Sequence, residues 1–205
     1  MGIMRDAAAR FQRVIDLIDA VNATDPNLVE TEGQSLPGEL VYGRRMSITL
    51  ARMHPDAPEC LRIAARGQHI ERWKVARKSY PAGRNGYLEW RKYQRSCQAR
   101  RLGELMADAG YAADDIARVG SLIRKEGLKR DPVAQMLEDV ICVMFFEHYL
   151  AGFAVRIERE KLAEILVKTW NRMSEHGHRA ALRLDLPAGV PELLGHGLKR
   201  LKVPA

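Results

Sequence analysis

Apolar residues recur along this chain every three to four positions and almost never in strict alternation, which is the signature of amphipathic helices rather than strands. Ala8, Phe11, Ile15 and Ile18, with Val14 and Val21 beside them, form the stripe of a first helix, and Asp25-Pro26 turns the chain after it. TEGQSLPGE (31–39) reads as a loop. A second helix is predicted from about Leu40 to Met53, broken by HPDAP, after which Asp56 is placed to cap a third helix running into AARGQHIERW (64–73). KVARKSYPAGRNG (74–86) reads as an irregular loop, because Pro81, Gly83 and Asn85-Gly86 are turn formers. A long helix follows from Tyr87 to Ala109, closed by Gly110. Asp114 and Asp115 open the next, with stripe Ile116, Val119 and Ile123, and Gly127 ends it. Asp131-Pro132 starts a helix through Leu150, and a last large helix covers Glu158 to Glu175 before a short helical piece. The pattern predicts an irregular all-α fold of about seven to nine helices in a single domain, 1–195, with a basic tail at 196–205.

A chain of 205 residues, 46% hydrophobic and 29% charged, can bury a sizeable core and is too apolar for global disorder. Its longest apolar run, VICVMFF (140–146), is too short to cross a bilayer, and MGIMRDAAARFQ has no apolar signal region. A cytoplasmic protein without membrane contact is expected. Cys60, Cys97 and Cys142 form no CxxC pair and are expected to pack as small hydrophobes. The net charge of +7 is unevenly spread: residues 62–101 hold twelve Lys or Arg against Glu71 and Glu89. Clustered positive charge raises the local concentration of phosphates and carboxylates, so an anionic partner is expected.

The chemistry concentrates where apolar Ile63, Ala64 and Ala65 give way to Gln68, His69, Arg72 and Trp73. A lone histidine at a helix end usually packs or caps. Here Arg72, Arg77 and Arg91 interleave with Trp73, Tyr80, Tyr87 and Trp90. Arginine supplies planar charged forks for phosphate, and aromatic rings supply stacking faces. Glu138 and Asp139 begin a stretch of helix that is apolar nearly all round, so both need cations, donors or a metal. No Walker loop, GxGxxG, GxSxG or HExxH occurs, and His54, His148, His176, His178 and His196 have no recognisable metal spacing. The HGH at 176–178 is expected to be exposed.

The order of helices and polar breaks resembles the HD superfamily of metal-dependent phosphohydrolases. YGRRM (42–46) matches its H-x-x-R motif with Tyr42 for His, and AARGQHI (64–70) matches the His-Asp doublet with Gln68 and His69. MLEDV (136–140) keeps the late Asp as Asp139, and GYAADDIARVGSLIRKEGL (110–128) is similar to the intervening helix, ending at Lys125 or Glu126 where the family often has His. Over almost the whole chain, QHIERW, SYPAGRNGYLEWR, LEDVICVMFFEHY and KTWNRMSEHG resemble the family catalogued as domain of unknown function 4202. Some of its members carry the label glutamyl-tRNA synthetase, but neither HIGH nor KMSKS is present here.

These resemblances imply an HD-domain-like helical fold and a pocket for an anionic small molecule, a phosphorylated metabolite or nucleotide first. Arg72, Arg77 and Arg91 would clamp the anion, with Lys125 as helper. His69 would carry the proton, oriented by Glu138 or Asp139. Gln68 would orient substrate or water, and Trp73 would shape a wall. If the protein is catalytic, phosphoester hydrolysis or transfer is the leading class. No metal and no other cofactor is expected, because Gln and Tyr are poor transition-metal ligands, with a mononuclear site on His69, Glu138 and Asp139 as the open alternative. Two other readings stay open. One is a non-catalytic pseudoenzyme holding a regulatory anion. The other, less favoured, is an RNA-binding protein using the basic segment and the tail GHGLKRLKVPA. Arginines converging in a cleft favour a small ligand, whereas a basic stripe across the surface favours RNA. The oligomeric state is left open.

Overall fold

The computed structural model describes residues 2–31, 33–128 and 130–195, with side chains from residue 6 onward. The tail at 196–205 lies outside the described residues. Nine α-helices are present among the described residues, and the chain divides between Gly127 and Leu128 into two compact units. The protein is all-α, with one two-stranded hairpin as its only sheet among those residues.

The first unit contains α1 (Gly2–Asn22), β1 (Leu28–Thr31), β2 (Gln34–Pro37), α2 (Gly38–Met53), α3 (Glu59–Gly67), α4 (Gly83–Ala109) and α5 (Ala113–Arg124). Helix α1 packs on α2, α3 and α4, and α5 packs on α3 and α4. Val14, Ile18, Met46, Leu50, Leu61, Ile63, Leu102, Met106 and Leu122 fill the space between them. Each such side chain stabilises the fold by about 1.5–3 kcal/mol on burial. Arg66 ties three helices together: it reaches Asp19 through Nε (2.6 Å) and Nη2 (2.5 Å), and its Nη1 donates to Ser47 Oγ (3.2 Å). Gly43 lets α2 approach the end of α3, since a Cβ there would lie 2.7 Å from the Arg66 carbonyl oxygen.

Three local expectations are corrected. TEGQSLPGE is largely a hairpin rather than a loop: Val29 pairs with Leu36 and Glu30 with Ser35, antiparallel. These four-residue strands are mostly exposed, so no buried face imposes the alternation by which strands are read. The hairpin base is fixed by Asp25, which accepts hydrogen bonds from the Asn27 and Glu39 amides (2.9 Å each). Asp56 does not cap α3: the helix starts at Glu59 with Pro58 at its N-cap and no side-chain cap bond. Short 3-10 turns form at Arg72–Lys74, just before the expected loop 74–86, and at Arg77–Ser79 within it, and α4 begins at Gly83, earlier than the expected Tyr87.

The second unit contains α6 (Pro132–His148), α7 (Leu150–Ala154), α8 (Arg159–Trp170) and α9 (Glu175–Ala181). Asp131 caps α6 by accepting from the Val133 amide (2.9 Å), with Pro132 in the first turn. Leu137, Val140, Cys142, Val143, Met144, Phe146, Leu150, Leu162 and Leu166 are buried. The last large helix is shorter than expected, because the chain turns at Asn171–Met173 and Ser174 starts α9 by accepting from Gly177 N. Cys142 packs in this core, while Cys60 and Cys97 are partly exposed, and all three are free thiols. No described helix is long and apolar enough to cross a membrane.

Candidate functional site

Helix α3 ends at Gly67, and the next four residues turn the chain sharply. Glu71 takes a left-handed backbone (φ 52°), unusual for a residue with a side chain. Its carboxylate is held by Lys74 Nζ (2.8 Å) and Arg101 Nε (3.3 Å). That turn sends Arg72 back so that its Nη1 lies 2.9 Å from His69 Nε2. Lys125, which closes α5, is the other non-glycine residue with positive φ among the described residues (60°). Backbone conformations of this kind gather at ligand sites, where the surrounding packing holds them.

Gln68, His69, Arg72 and Lys125 line one cleft with Arg91, Gln94, Arg95, Gln98 and Ile123. The cleft is tight, with a free interior of about 10 Å³, the room of roughly one water molecule. Four cationic side chains and three carboxamides face it, and no carboxylate is among the described lining residues. The wall is braced from behind. Gln94 Nε2 donates to the carbonyls of Arg72 (2.8 Å) and Val75 (3.0 Å), and Trp90 Nε1 donates to Val75 O (2.9 Å). The Arg72 guanidinium lies 5.0 Å above the Trp90 ring, a cation–π contact that fixes its plane.

His69 is 17% exposed and held on three sides. Tyr42 stacks on its ring (centroids 3.9 Å apart, 18° between planes), and Tyr42 Oη donates to Gln68 Oε1 at 3.5 Å. Arg72 can only donate, so His69 Nε2 must accept with its lone pair. The proton of the neutral ring is then on Nδ1, which faces Glu39 Oε2 at 3.5 Å. Burial, then the charges of Arg72, Arg91 and Lys125, hold the imidazole well below its ordinary pKa, so it is neutral. Glu39 is displaced the other way. Burial raises its carboxyl from 4.5 to about 7, Arg72 opposes that rise and Asp25 adds to it. Of the two, Glu39 is the group that holds a proton near neutrality, while His69 stays neutral.

None of the other expected site residues, Trp73, Arg77, Glu138 and Asp139, is among the described residues that line the cleft. Arg77 is occupied in holding the loop, donating to the carbonyls of Tyr80 (3.0 Å), Pro81 (2.8 Å) and Gly83 (3.2 Å). The aromatic support expected of Trp73 comes from Trp90. Glu138 and Asp139, 1% and 2% exposed, belong to the second unit and bind partners there. Glu138 Oε1 pairs with Arg172 Nη1 at 3.1 Å. Asp139 accepts from the Ser174 amide (2.8 Å), the Ser174 hydroxyl and Gln135 Nε2 (2.9 Å). These contacts join α6 to the turn between α8 and α9. The HGH segment is not simply exposed: His178 stacks on Trp170 (4.1 Å, 8°), and its Nε2 lies 2.9 Å from Trp170 O.

Sequence reasoning missed Glu39, Gln94, Arg95 and Gln98. Arg91, Gln94, Arg95 and Gln98 follow the i, i+3, i+4, i+7 spacing of one helical face, and that polar stripe was the available signal. Glu39 had none, since it comes from the opening of α2.

Among the described residues no three His, Cys, Asp or Glu side chains gather to hold a metal ion. The donors at positions 42, 68 and 69 are a phenol, a carboxamide and an imidazole whose lone pair is bonded to Arg72, beside four cationic side chains. That set does not fit the divalent metal implied by the HD resemblance.

Fold and site define a class: an all-α protein with a narrow, cation-lined cleft against a largely covered, neutral histidine. The chain belongs to the family described as Domain of unknown function (DUF4202), whose model matches residues 12–194. No curated protein and no solved structure matches it.

Proposed function

We propose that the cleft binds the phosphoryl group of a small phosphorylated metabolite or nucleotide. The observation that carries this reading is the convergence of Arg72, Arg91, Arg95 and Lys125 on one cleft with no lining carboxylate among the described residues. Desolvated cations that face one another repel, and an anion between them reverses that cost. Their convergence also favours a small ligand over RNA, which is served by a basic stripe across a surface. The expected localisation is cytoplasmic.

The chemistry supported by the site is phosphoester hydrolysis or transfer, with His69 as proton carrier and Glu39 in the orienting role first assigned to Glu138 or Asp139. When Arg72 turns to phosphoryl oxygens, Nε2 is released to take a proton from an attacking water or hydroxyl. Glu39 then stabilises the imidazolium through Nδ1–H. The meeting of Tyr42, Gln68 and His69 supports an HD-like ancestry, with protein cations in place of the metal. Arg72's hold on Nε2 favours one second reading, a non-catalytic relative that binds a regulatory anion without turnover.

Titration calorimetry with inorganic phosphate and a panel of sugar phosphates and nucleotides tests binding. At least one should bind, more weakly as salt rises, and Arg72→Ala or Arg91→Ala should weaken it by about tenfold or more. Unchanged affinity in both variants sinks the reading. Tight, length-dependent RNA binding with a steep salt slope replaces it with the nucleic-acid one. His69→Gln separates the two small-molecule readings, since it should remove turnover of a bound phosphoester while leaving most of its affinity.

A further inference from the structure

Gln98 stands out among the cleft's carboxamides. It is 4% exposed, lines the cleft, and its Nε2 makes no hydrogen bond. Its neighbours are engaged: Gln94 Nε2 bonds two carbonyls, and Gln68 Oε1 accepts from Tyr42. A buried amide donor without an acceptor bears its full desolvation cost, and native proteins keep few of them. Such a group beside a cationic cleft is satisfied when a ligand oxygen arrives.

The dimensions narrow what that ligand is. Clefts that enclose a whole drug-sized ligand run from about 300 to 1,000 Å³. This one has a free interior of only about 10 Å³, the room of roughly one water molecule, so a ligand enters it by its smallest terminal group alone, with Arg72 and its neighbours yielding and the rest of the molecule outside. We infer that the cleft takes a terminal phosphoryl group, as inorganic phosphate or a phosphomonoester dianion, and that Gln98 is the specificity-determining residue that donates to its innermost oxygen. This rests on the phosphoryl-binding reading above. A terminal phosphoryl group presents three unsubstituted oxygens and two charges, sufficient for the cations at the sides and Gln98 at the buried end. A diester presents two such oxygens and one charge, and its second substituent would have to enter among Gln94, Gln98 and Arg95.

The test uses inorganic phosphate, methyl phosphate and dimethyl phosphate as probes, titrated at pH 8 into the full-length wild-type protein and into Gln98→Met. Methionine keeps the volume and removes both polar atoms. Wild type should bind phosphate and methyl phosphate at least about tenfold more tightly than dimethyl phosphate. Gln98→Met should weaken the first two by about tenfold to a hundredfold, as loss of a donor to a charged acceptor does, and should narrow the gap to the diester. Without ligand it should melt at or above the wild-type temperature, because the amide has no internal partner. Equal wild-type affinity for monoester and diester overturns the inference and leaves phosphoryl binding standing. So does unchanged selectivity in Gln98→Met, or a markedly lower melting temperature, which makes the amide structural. If wild type binds none of the probes nor any phosphorylated compound, both readings fall together.

Discussion

Replacing Glu39 by Gln should make the protein more stable, and only above acidic pH. The carboxylate is 16% exposed, and its Oε2 accepts no hydrogen bond although it lies 3.5 Å from His69 Nδ1. Burial raises its pKa from 4.5 to about 7, with Arg72 as the opposing influence and Asp25 as a lesser addition. For an acid displaced upward the sign is clear: between those two values the folded protein keeps a proton that the unfolded chain releases. Stability therefore falls as pH rises through the window and levels off above pH 7, at a total of about 3 kcal/mol. The amide of the Glu39→Gln variant has no charge to gain, so the gap between that variant and wild type should open by about 2.5 kcal/mol from pH 5 to pH 8. His69 titrates in the opposite sense, losing stability as pH falls below its ordinary value of 6.5, but it is present in both proteins. Urea unfolding of both at pH 5, 6, 7 and 8, followed by circular dichroism, measures the gap. A difference that stays constant with pH, or grows toward acid, refutes the assignment of Glu39 as a buried, proton-holding carboxyl.

Gly43→Ala should destabilise the first unit by about 1–3 kcal/mol in chemical denaturation, the reverse of the usual helix preference, because its Cβ would meet the Arg66 carbonyl at 2.7 Å. A stabilised variant would show that α2 and α3 are less closely packed. Asp139→Ala should cost about 2–4 kcal/mol, since it leaves the Ser174 amide and hydroxyl without their acceptor, while Gln135 keeps its bond to the Arg172 carbonyl. A loss below about 1 kcal/mol by the same measurement contradicts that structural role. Elemental analysis of protein purified without chelator should find no stoichiometric transition metal, given the phenol and carboxamide at Tyr42 and Gln68. One equivalent of zinc, manganese or iron that disappears in His69→Ala restores a metallohydrolase.

Burial was legible in this sequence where pairing was not. The apolar run after Asp139 announces that Glu138 and Asp139 enter a core, and both do. Their partners, Arg172 and Ser174, lie more than thirty residues downstream in a stretch whose periodicity reads as helix, while the chain turns there. An acid in a core must find donors. Whether it finds a serine and a glutamine that fasten two helices, or a neutral histidine beside a cleft, depends on how the elements approach one another. Glu39 shows the same limit from the other side: it sits at the end of a Gly- and Pro-containing stretch with no local sign of burial. Only the Asp25-anchored hairpin and the close approach at Gly43 bring it to His69. The cleft's cations were easier. Arg72, Arg91 and Lys125 were expected there, because permanent charges interleaved with aromatics are recognisable without knowing their contacts. Arg95 and Gln98 share the Arg91 face of α4, but a polar stripe on a charged helix resembles a solvated surface until a neighbouring helix covers it. The site proposed for this fold therefore lies on the covered part of a polar face, and the unpartnered Nε2 of Gln98 is where that covering leaves a measurable mark.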